Sequence, residues 1–284
     1  MSTPLPPLPW DVIDSLIDLA LREDLAGGDI TTETLFAPDD LAEARILAKA
    51  PGVIAGLPVA ERVFHRLDPS LTFLARVGDG DSVAPGDLIV ELRGTARAIL
   101  SGERLALNLL QRMSGIATAA ARFAEAVQGL PVTLLDTRKT APGLRLLDKV
   151  AVAAGGVTNH RMTLNDLAMI KDNHLARAGG ITRAVSLIRN ARPGLKIEVE
   201  TSTLAEVDEA LAAGADIIML DNMSLDDMRE AVRRIGGRAP TEASGNVTLE
   251  RVRAIAETGV TSISIGSLTH SVHALDLSLK IAEA

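Results

Sequence analysis

Two patterns of apolar and polar residues divide the chain. Between residues 44 and 92, Pro-Gly and Asp-Gly turns separate short β-type runs, namely RILAKA, GVIAG, LTFLARV and DLIVEL, and one helix is predicted at about 58–67. After Pro131, apolar strands alternate with helical segments, which predicts parallel strands joined by right-handed crossovers. The sequence therefore predicts an α/β protein in which an α/β sandwich precedes an open, incomplete α/β barrel of TIM type.

The predicted helices set the domain boundary. Apolar spacing predicts a long helix over about 96–113, which Ser114-Gly115 is expected to end before a second helix begins. We predict an N-terminal sandwich domain over 1–115 and a catalytic barrel domain over 116–269. A C-terminal helix within 270–284 is predicted to pack back on the first domain, which would then be discontinuous in sequence.

The composition is typical of a globular protein that binds neither membranes nor nucleic acids. The 284 residues are 47% hydrophobic, and no apolar run approaches the ~18 residues of a spanning helix. A net charge of −8 and an aromatic content of 2% argue against nucleic-acid binding, which favours basic surfaces and stacking. The absence of cysteine excludes disulfides and thiolate chemistry. The N-terminal MSTPLPPLPW is predicted to be a short extended arm and not a signal peptide, so we expect a cytoplasmic protein.

One segment of this acidic protein is rich in cations. Residues 134–175 contain Arg138, Lys139, Arg145, Lys149, His160, Arg161, Lys171 and His174. Like charges held together cost free energy, and an anionic ligand that neutralises them is the plainest reason to keep them. Solvated helix faces are the alternative, but Arg138 and Lys171 each follow a predicted buried strand. We therefore predict an anion-binding active site in this segment.

Charged residues stand at the ends of several predicted strands. In chain order these positions are Asp136, Lys171, Glu200, Asp221, Glu242 and the turn at Gly266. Because barrel chemistry lies at the carboxyl ends of the strands, we expect them to meet at one rim. Glu200 and Asp221 could each stabilise a helix N-terminus, but as a pair they suit sugar hydroxyls, a metal ion or a transient positive charge. Lys171 could form a Schiff base, although its cationic neighbours favour anion binding.

Two loops after the last strands have the composition of a phosphate site. They are SGN at 244–246 and IGS at 265–267, and each precedes a predicted helix. Backbone N–H groups at a helix N-terminus can hold a phosphate, and the last two strands are the usual place for such a site in a barrel. Neither loop is specific alone, because Gly and Ser are common in turns. Together they predict a phosphate-binding site.

Longer motifs resemble the quinolinate phosphoribosyltransferase family. The chain contains DTRKT-x-PG-x-R, AGG…NHR, DLAMIKDNH, EVE, LDN and SGN, and the likeness extends from EDLAGGDITTETL to IGSLTHS. The resemblance implies that quinolinate and phosphoribosyl pyrophosphate react to give nicotinate mononucleotide, pyrophosphate and carbon dioxide, in the synthesis of NAD. It also implies dependence on Mg2+, a homodimer with shared active sites, and an N-terminal sandwich joined to an open barrel.

The resemblance also implies roles for individual residues. The set expected to bind quinolinate and pyrophosphate is Arg104, Thr137, Arg138, Lys139, His160, Arg161 and Lys171. The set expected to hold the 5′-phosphate is Ser244, Gly245, Asn246, Ile265, Gly266 and Ser267. Glu200 and Asp221 are expected to hold the ribose and Mg2+, and with Lys139 and Lys171 they form the expected catalytic set. Arg104 is expected to reach the active site of the partner subunit.

One position departs from the family pattern. The family usually has three glycines before x-Asn-His-Arg, whereas this chain has Val157 as the third residue. A positive φ would be unfavourable for valine, so a remodelled loop and a displaced His160 are expected if the position requires it.

Three competing functions stay open at the level of sequence. A paralogue of the type associated with molybdenum transport would share the fold, but the intact NHR and KDNH motifs weigh against it. A Schiff-base lyase would use Lys171 as its nucleophile. A non-catalytic binding protein would not need the complete set of charged residues at the strand ends.

Overall fold

The computed structural model describes residues 8–282, which form two compact units. The first unit contains the described residues up to 121, residues 141–156 and those from 271 onward, and the second contains 122–140 and 157–270. The predicted N-terminal arm lies mostly before residue 8, outside the described residues. None of the helices in the described part of the chain is long and apolar enough to cross a membrane.

Helices and strands follow one another along the whole described chain. The first elements are α1 (Trp10–Leu25), α2 (Ile30–Leu35), β1 (Leu41–Ala48), β2 (Gly52–Val53), α3 (Leu57–Leu67), β3 (Thr72–Ala75), β4 (Ser82–Val83), β5 (Leu88–Thr95) and α4 (Ala96–Ala126). They are followed by β6 (Thr133–Leu135), α5 (Arg145–Ala154), β7 (Ala168–Ile170), α6 (Asp172–Ala178), α7 (Ile181–Ala191), β8 (Ile197–Thr201), α8 (Leu204–Ala212), β9 (Ile217–Asp221), α9 (Leu225–Ile235), β10 (Thr241–Ser244), α10 (Leu249–Ala256), β11 (Ser262–Ser264), α11 (Ser267–His270) and β12 (Leu277–Ile281). The predicted α/β class is confirmed.

The first unit is built on a four-stranded antiparallel sheet in the order β12-β1-β5-β3. Ile46 of β1 and Leu92 of β5 are fully buried, as are Ile17 of α1 and Phe64 of α3. Along β1 the buried residues alternate with more exposed ones, and in α1 the buried Ile13 and Ile17 are one helical turn apart. One face of each element therefore supplies the core. The α/β sandwich predicted for this half of the sequence is therefore confirmed.

The C-terminal segment is a strand and not a helix. The helix predicted within 270–284 is wrong, because residues 277–281 form β12 and pair with β1, where Leu279 lies opposite Ile46. Leu277 and Leu279 are buried, whereas Lys280 is exposed, which is close to the alternation of a strand. The segment does return to the first unit, and there it pairs with β1 as an additional strand of the sheet.

Helix α4 runs without a break through Ser114-Gly115, so the helix end predicted there is wrong. The two small residues serve close packing. The hydroxyl of Ser114 accepts a hydrogen bond from the backbone N–H of Ala55 at 3.1 Å, and its side chain is fully buried. A Cβ on Gly115 would lie 2.1 Å from the carbonyl oxygen of His273. The predicted boundary between residues 115 and 116 therefore falls inside a continuous helix.

The second unit is a six-stranded parallel sheet in the order β6-β11-β10-β9-β8-β7. Within the described residues β6 and β7 do not pair with each other, so the barrel is open as predicted. Buried Ile218, Ala243 and Ile263 lie on its central strands β9, β10 and β11, and helices α9 and α10 follow the first two of these strands. All six strands run in the same direction, which places their carboxyl ends at one edge of the sheet.

Gly115→Ala should lower the free energy of unfolding by about 2 kcal/mol or more, because the new methyl group meets backbone atoms that cannot move aside. In a helix interior without such a contact, the same change raises stability by about 0.5–1 kcal/mol. The sign measured in urea unfolding therefore tests the packing directly. Gly102→Ala in the same helix is the comparison, because its nearest contacts, at 2.9–3.1 Å, are side-chain atoms of Phe64 and Leu67, which can shift, so a smaller loss of stability is expected.

Candidate active site

The carboxyl ends of the parallel strands surround a cavity of about 640 Å³, here called the main cavity. Most residues predicted for the site line it: Thr137, Arg138, Lys139, His160, Arg161, Lys171, Glu200, Asp221, Ser244, Gly245 and Asn246. The other lining residues are Asp136, Met169, Met219, Asn222, Glu242 and Ser264. Cations, carboxylates and a loop of small residues thus meet in one place, as the strand-end argument predicts.

The loop after β11 lies beside the main cavity and does not line it. Its residues are Ile265, Gly266 and Ser267. The side chain of Ile265 is buried, and its backbone N–H donates to the carbonyl of Leu135 at 2.9 Å. The hydroxyl of Thr269 donates to the carbonyl of Lys139 at 2.9 Å, and a Cβ on Gly266 would lie 3.1 Å from Cδ of Lys139. The loop therefore supports the backbone and side chain of Lys139.

Arg104 is the predicted site residue that belongs to the other unit. It lies on α4, is exposed, and lines a small cavity of about 310 Å³ together with Asp29 and Ser101. It has no ion-pair partner among the described residues. The lining of the main cavity comes entirely from the second unit, so Arg104 is not part of it.

Asp136 fixes the segment that carries His160 and Arg161. It directly follows β6, and its carboxylate is fully buried. One oxygen accepts a hydrogen bond from the backbone N–H of His160 and the other accepts one from the side-chain amide of Asn159, both at 2.8 Å. The two hydrogen bonds hold this segment against the end of β6. The sequence placed Asp136 at the rim, but its role in holding this segment was not predicted.

His160 faces two buried carboxylates. Its Nε2 lies 3.2 Å from an oxygen of Glu242 and 3.5 Å from an oxygen of Glu198. Burial lowers the pKa of His160, but the hydrogen bonds and negative charges of the two glutamates outweigh it and raise the pKa to about 9. The backbone N–H of Arg161 donates to Nδ1 at 2.7 Å. Because Nδ1 accepts this hydrogen bond, the ring proton in this geometry is on Nε2 and points to the two carboxylates.

The same three side chains have the composition of a metal site. Their ligand atoms lie within 4.8 Å of one another. Burial raises the pKa of Glu198, which favours holding a proton within this group of side chains. We therefore interpret His160, Glu198 and Glu242 as a proton-sharing cluster, here called the His160 cluster. Glu198 was not among the predicted site residues, and Glu242 lies within β10 and not at its end.

The guanidinium groups of Arg138 and Arg161 in the main cavity are close enough to repel each other electrostatically. Burial lowers the pKa of Arg161, and the positive charge of Arg138 lowers it further. Arg161 donates to the carbonyl of Leu167 at 2.8 Å. Nε of Arg138 is buried and has no hydrogen-bond partner among the described residues. A buried donor without an acceptor costs free energy that an anion bound in the cavity would recover.

Lys171 and Glu200 form an ion pair at the cavity. Lys171 directly follows β7, and Glu200 lies on the neighbouring strand β8. The next strand ends with Asp221, whose carboxylate accepts a hydrogen bond from the amide of Asn222 at 2.7 Å. Glu200 and Asp221 are only partly buried, and they offer the hard oxygen ligands that Mg2+ prefers when it also keeps water and phosphate ligands. The donor set therefore fits Mg2+, although a cation would compete with Lys171 for Glu200.

The departure at Val157 does not disturb the site. Val157 is buried and is not among the described residues with a positive φ, whereas Gly156 before it has a φ of 84°. The left-handed conformation is thus taken by a glycine, and the expected remodelling of the loop is wrong. The backbone N–H of His160 is held by Asp136 as described above.

Comparison with known proteins gives one family over most of the chain. The family model described as quinolinate phosphoribosyl transferase, C-terminal domain, matches residues 116–280, and the model of the N-terminal domain of the same enzyme matches residues 29–114. Together the two models cover most of both units and all of the main cavity.

Individual relatives are similar over nearly their whole length. The chain is 47% identical to quinolinate phosphoribosyltransferase (decarboxylating) 1b of Nicotiana tabacum over 95% of the chain and 82% of that protein. It is 46% identical to a probable nicotinate-nucleotide pyrophosphorylase (carboxylating) of Synechocystis over 96% and 94%. The crystal structure of NadC from Streptococcus pyogenes superposes with a TM-score of 0.93 at 42% identity, covering 98% of this chain and all of that one. Some plant relatives are named as mitochondrial or chloroplastic forms.

The His160 cluster should make stability depend on pH. The pKa of His160 is raised to about 9 in the folded protein. The stability that the cluster contributes is therefore fully present below about pH 6.5 and is lost as the pH rises through about 9. The shift corresponds to up to about 3 kcal/mol in the free energy of unfolding. Urea unfolding from pH 6 to 9.5 should show this loss in the wild type and a clearly smaller one in the Glu198→Gln, Glu242→Gln double variant. Equal slopes would contradict the shared proton.

Proposed function

The chain belongs to the quinolinate phosphoribosyltransferase family, and on that premise we propose that the main cavity transfers a phosphoribosyl group to quinolinate with loss of carbon dioxide. The products are nicotinate mononucleotide and pyrophosphate, so the protein is a decarboxylating pentosyltransferase of NAD synthesis. The observation that carries this proposal is the convergence of Arg138, Arg161 and Lys171 at the carboxyl ends of the strands. Both substrates are anions, and a cavity with this lining suits them.

Quinolinate recognition follows from the two guanidinium groups. The ring carries two adjacent carboxylates, and each one requires a cation that is not already neutralised. Arg138 supplies a buried donor without a partner, and Arg161 is held by the carbonyl of Leu167 in a position where it also faces the cavity. Bidentate pairing of guanidinium with carboxylate is short and geometrically specific. Asp136 and the His160 cluster hold the segment that carries Arg161 in place.

The phosphoribosyl donor is proposed to bind along the strands β8 to β10. The loop Ser244–Asn246 lines the cavity and offers backbone N–H groups to the 5′-phosphate, and Lys139 offers its ammonium to pyrophosphate. We propose that Glu200 and Asp221 hold Mg2+, which would neutralise charge on the leaving pyrophosphate. Both carboxylates also stabilise the positive charge that develops at C1 of the ribose as pyrophosphate leaves.

The decarboxylation uses the ring itself. Attack of the pyridine nitrogen on C1 forms the N–C bond as the C–O bond to pyrophosphate breaks, and it leaves a positive charge on the ring nitrogen. The adjacent carboxylate then leaves as carbon dioxide, and its bonding electron pair stays on C2, where the cationic nitrogen stabilises it. One proton added at C2 completes nicotinate mononucleotide. No redox cofactor is needed for this sequence.

Two competing functions are not favoured. An imine-forming lysine must be an uncharged nucleophile, whereas the ammonium of Lys171 is paired with the carboxylate of Glu200. A paralogue with another substrate would share the fold, but the relatives that match both units are named quinolinate phosphoribosyltransferase or nicotinate-nucleotide pyrophosphorylase. Cytoplasmic location stays a prediction.

The purified protein should convert quinolinate and phosphoribosyl pyrophosphate to nicotinate mononucleotide in the presence of Mg2+. Nicotinate, which has one carboxylate, leaves a buried cation unpaired and should react at least ~10³-fold less efficiently. Product formation followed by chromatography with both substrates measures the ratio of kcat/KM. Comparable turnover of the two pyridines would contradict the proposed substrate, and borohydride inactivation in the presence of a keto acid would favour a lyase.

We also propose a homodimer in which Arg104 enters the main cavity of the partner subunit. Arg104 is exposed, has no ion-pair partner in the described chain, and lies outside the unit that lines its own main cavity. Quinolinate and phosphoribosyl pyrophosphate are both multiply charged anions, so a further cation at the cavity would strengthen their binding. A two-fold interface would supply Arg104 to both sites reciprocally.

Mixing inactive Arg104→Ala and Lys171→Ala proteins should restore activity. In a mixed dimer one cavity receives both defects and the other receives neither, so random exchange should recover about a quarter of wild-type activity. The matched control mixes Lys171→Ala with Glu200→Ala, two residues of the same cavity, and it should recover none. If subunit exchange is confirmed by native mass spectrometry and both mixtures stay inactive, Arg104 does not act across the dimer.

A further inference from the structure

Two asparagines at the cavity have a strained backbone. Asn222, directly after β9, has a φ of 55°, and Asn246, shortly after β10, has a φ of 50°. Among residues 8–282 they are the non-glycine residues with a positive φ. This conformation is costly for residues with a Cβ, and asparagine tolerates it better than most. Strain of this kind persists only where the surrounding structure fixes it, and it is common next to active sites.

The side chain of Asn222 joins two parts of the proposed donor site. Its amide nitrogen donates to the carboxylate of Asp221 at 2.7 Å, and its amide oxygen accepts from the amide of Asn246 at 2.9 Å. Its backbone N–H donates to the carbonyl of Ser244 at 2.9 Å. A single residue thus contacts both the carboxylate proposed for ribose and Mg2+ and the loop proposed for the 5′-phosphate.

The backbone at Gly245 lies close against this amide. A Cβ on Gly245 would lie 2.2 Å from the amide oxygen of Asn222, and Gly245 itself has a φ of 88°. Both the space and the backbone conformation therefore require glycine at 245 while the amide of Asn222 is in place. The loop Ser244–Asn246 takes its shape against the side chain of Asn222.

We propose that Asn222 is a positioning residue for the phosphoribosyl donor, because its amide holds Asp221 and the loop Ser244–Asn246 at a fixed spacing. The inference rests on the proposed function and deepens it. The donor has a phosphate at one end of its ribose and a pyrophosphate at the other, so both ends must be met at once. Among the described residues the Asn222 amide bonds to Asp221 and Asn246 and not to Arg138 or Arg161, so its contribution should be specific to the phosphoribosyl donor and not to quinolinate.

Asn222→Gly is the most direct test, because glycine keeps the left-handed backbone and removes the amide. Loss of the two side-chain hydrogen bonds should raise the KM and the calorimetric Kd for phosphoribosyl pyrophosphate with Mg2+ by about tenfold or more. The calorimetric Kd for quinolinate should change by less than about twofold. A general loss of structure would weaken the binding of both quinolinate and phosphoribosyl pyrophosphate, and that result would overturn the proposal. An unchanged Kd for phosphoribosyl pyrophosphate would overturn it as well.

Asn246→Gly provides an independent second variant. This substitution removes the amide that donates a hydrogen bond to Asn222, and glycine again keeps the left-handed backbone. It should therefore give the same selective defect in binding phosphoribosyl pyrophosphate. If the hydrogen bond between the Asn222 and Asn246 side chains couples the two residues, the Kd for phosphoribosyl pyrophosphate in the double variant should rise clearly less than the product of the two single-variant factors. Multiplicative effects would show that no bridge exists. If the wild type forms no nicotinate mononucleotide, the proposed function fails, whereas an active wild type with unimpaired variants refutes only the role of Asn222.

Discussion

Gathering positive charge at one edge of a parallel sheet costs free energy, and the second unit depends on buried carboxylates that offset this cost. Asp136 holds the backbone of His160, and Glu198 and Glu242 share a proton with its ring. Asp136 and Glu242 line the main cavity together with Arg138 and Arg161, and Arg161 is held by the carbonyl of Leu167, a neutral group that leaves its charge available. An anionic substrate then completes the charge balance.

The fold of the second unit and the outline of its site could be predicted because both follow from local rules. Apolar runs that alternate with helical segments specify a parallel sheet, and charged residues after those runs must share its carboxyl edge. Arg138, Lys171, Glu200 and Asp221 were expected around one cavity for this reason, and they line it. The two-residue period of β8 also places Glu198 on the same face as Glu200, so Glu198 could have been predicted near the site.

The errors and omissions concern contacts between segments that are distant in sequence. Whether residues 277–281 form a helix or a strand depends on the free edge of β1, which lies more than two hundred residues earlier. Gly115 looked like a helix end because its real partner, the backbone of His273, cannot be read from local sequence. The bridge at Asn222 depends on the shape of a loop after another strand. Spacing along the chain contains none of this information.

The central claim is that the cations of the main cavity recognise a pyridine with two carboxylates. A crystal structure of the protein with bound quinolinate tests it most directly. The account predicts the ring in the main cavity, with each carboxylate within ~3.2 Å of a nitrogen of Arg138, Arg161 or Lys171. Quinolinate bound outside this cavity, or bound with a carboxylate facing the loop Ser244–Asn246 and no cation, would contradict the account.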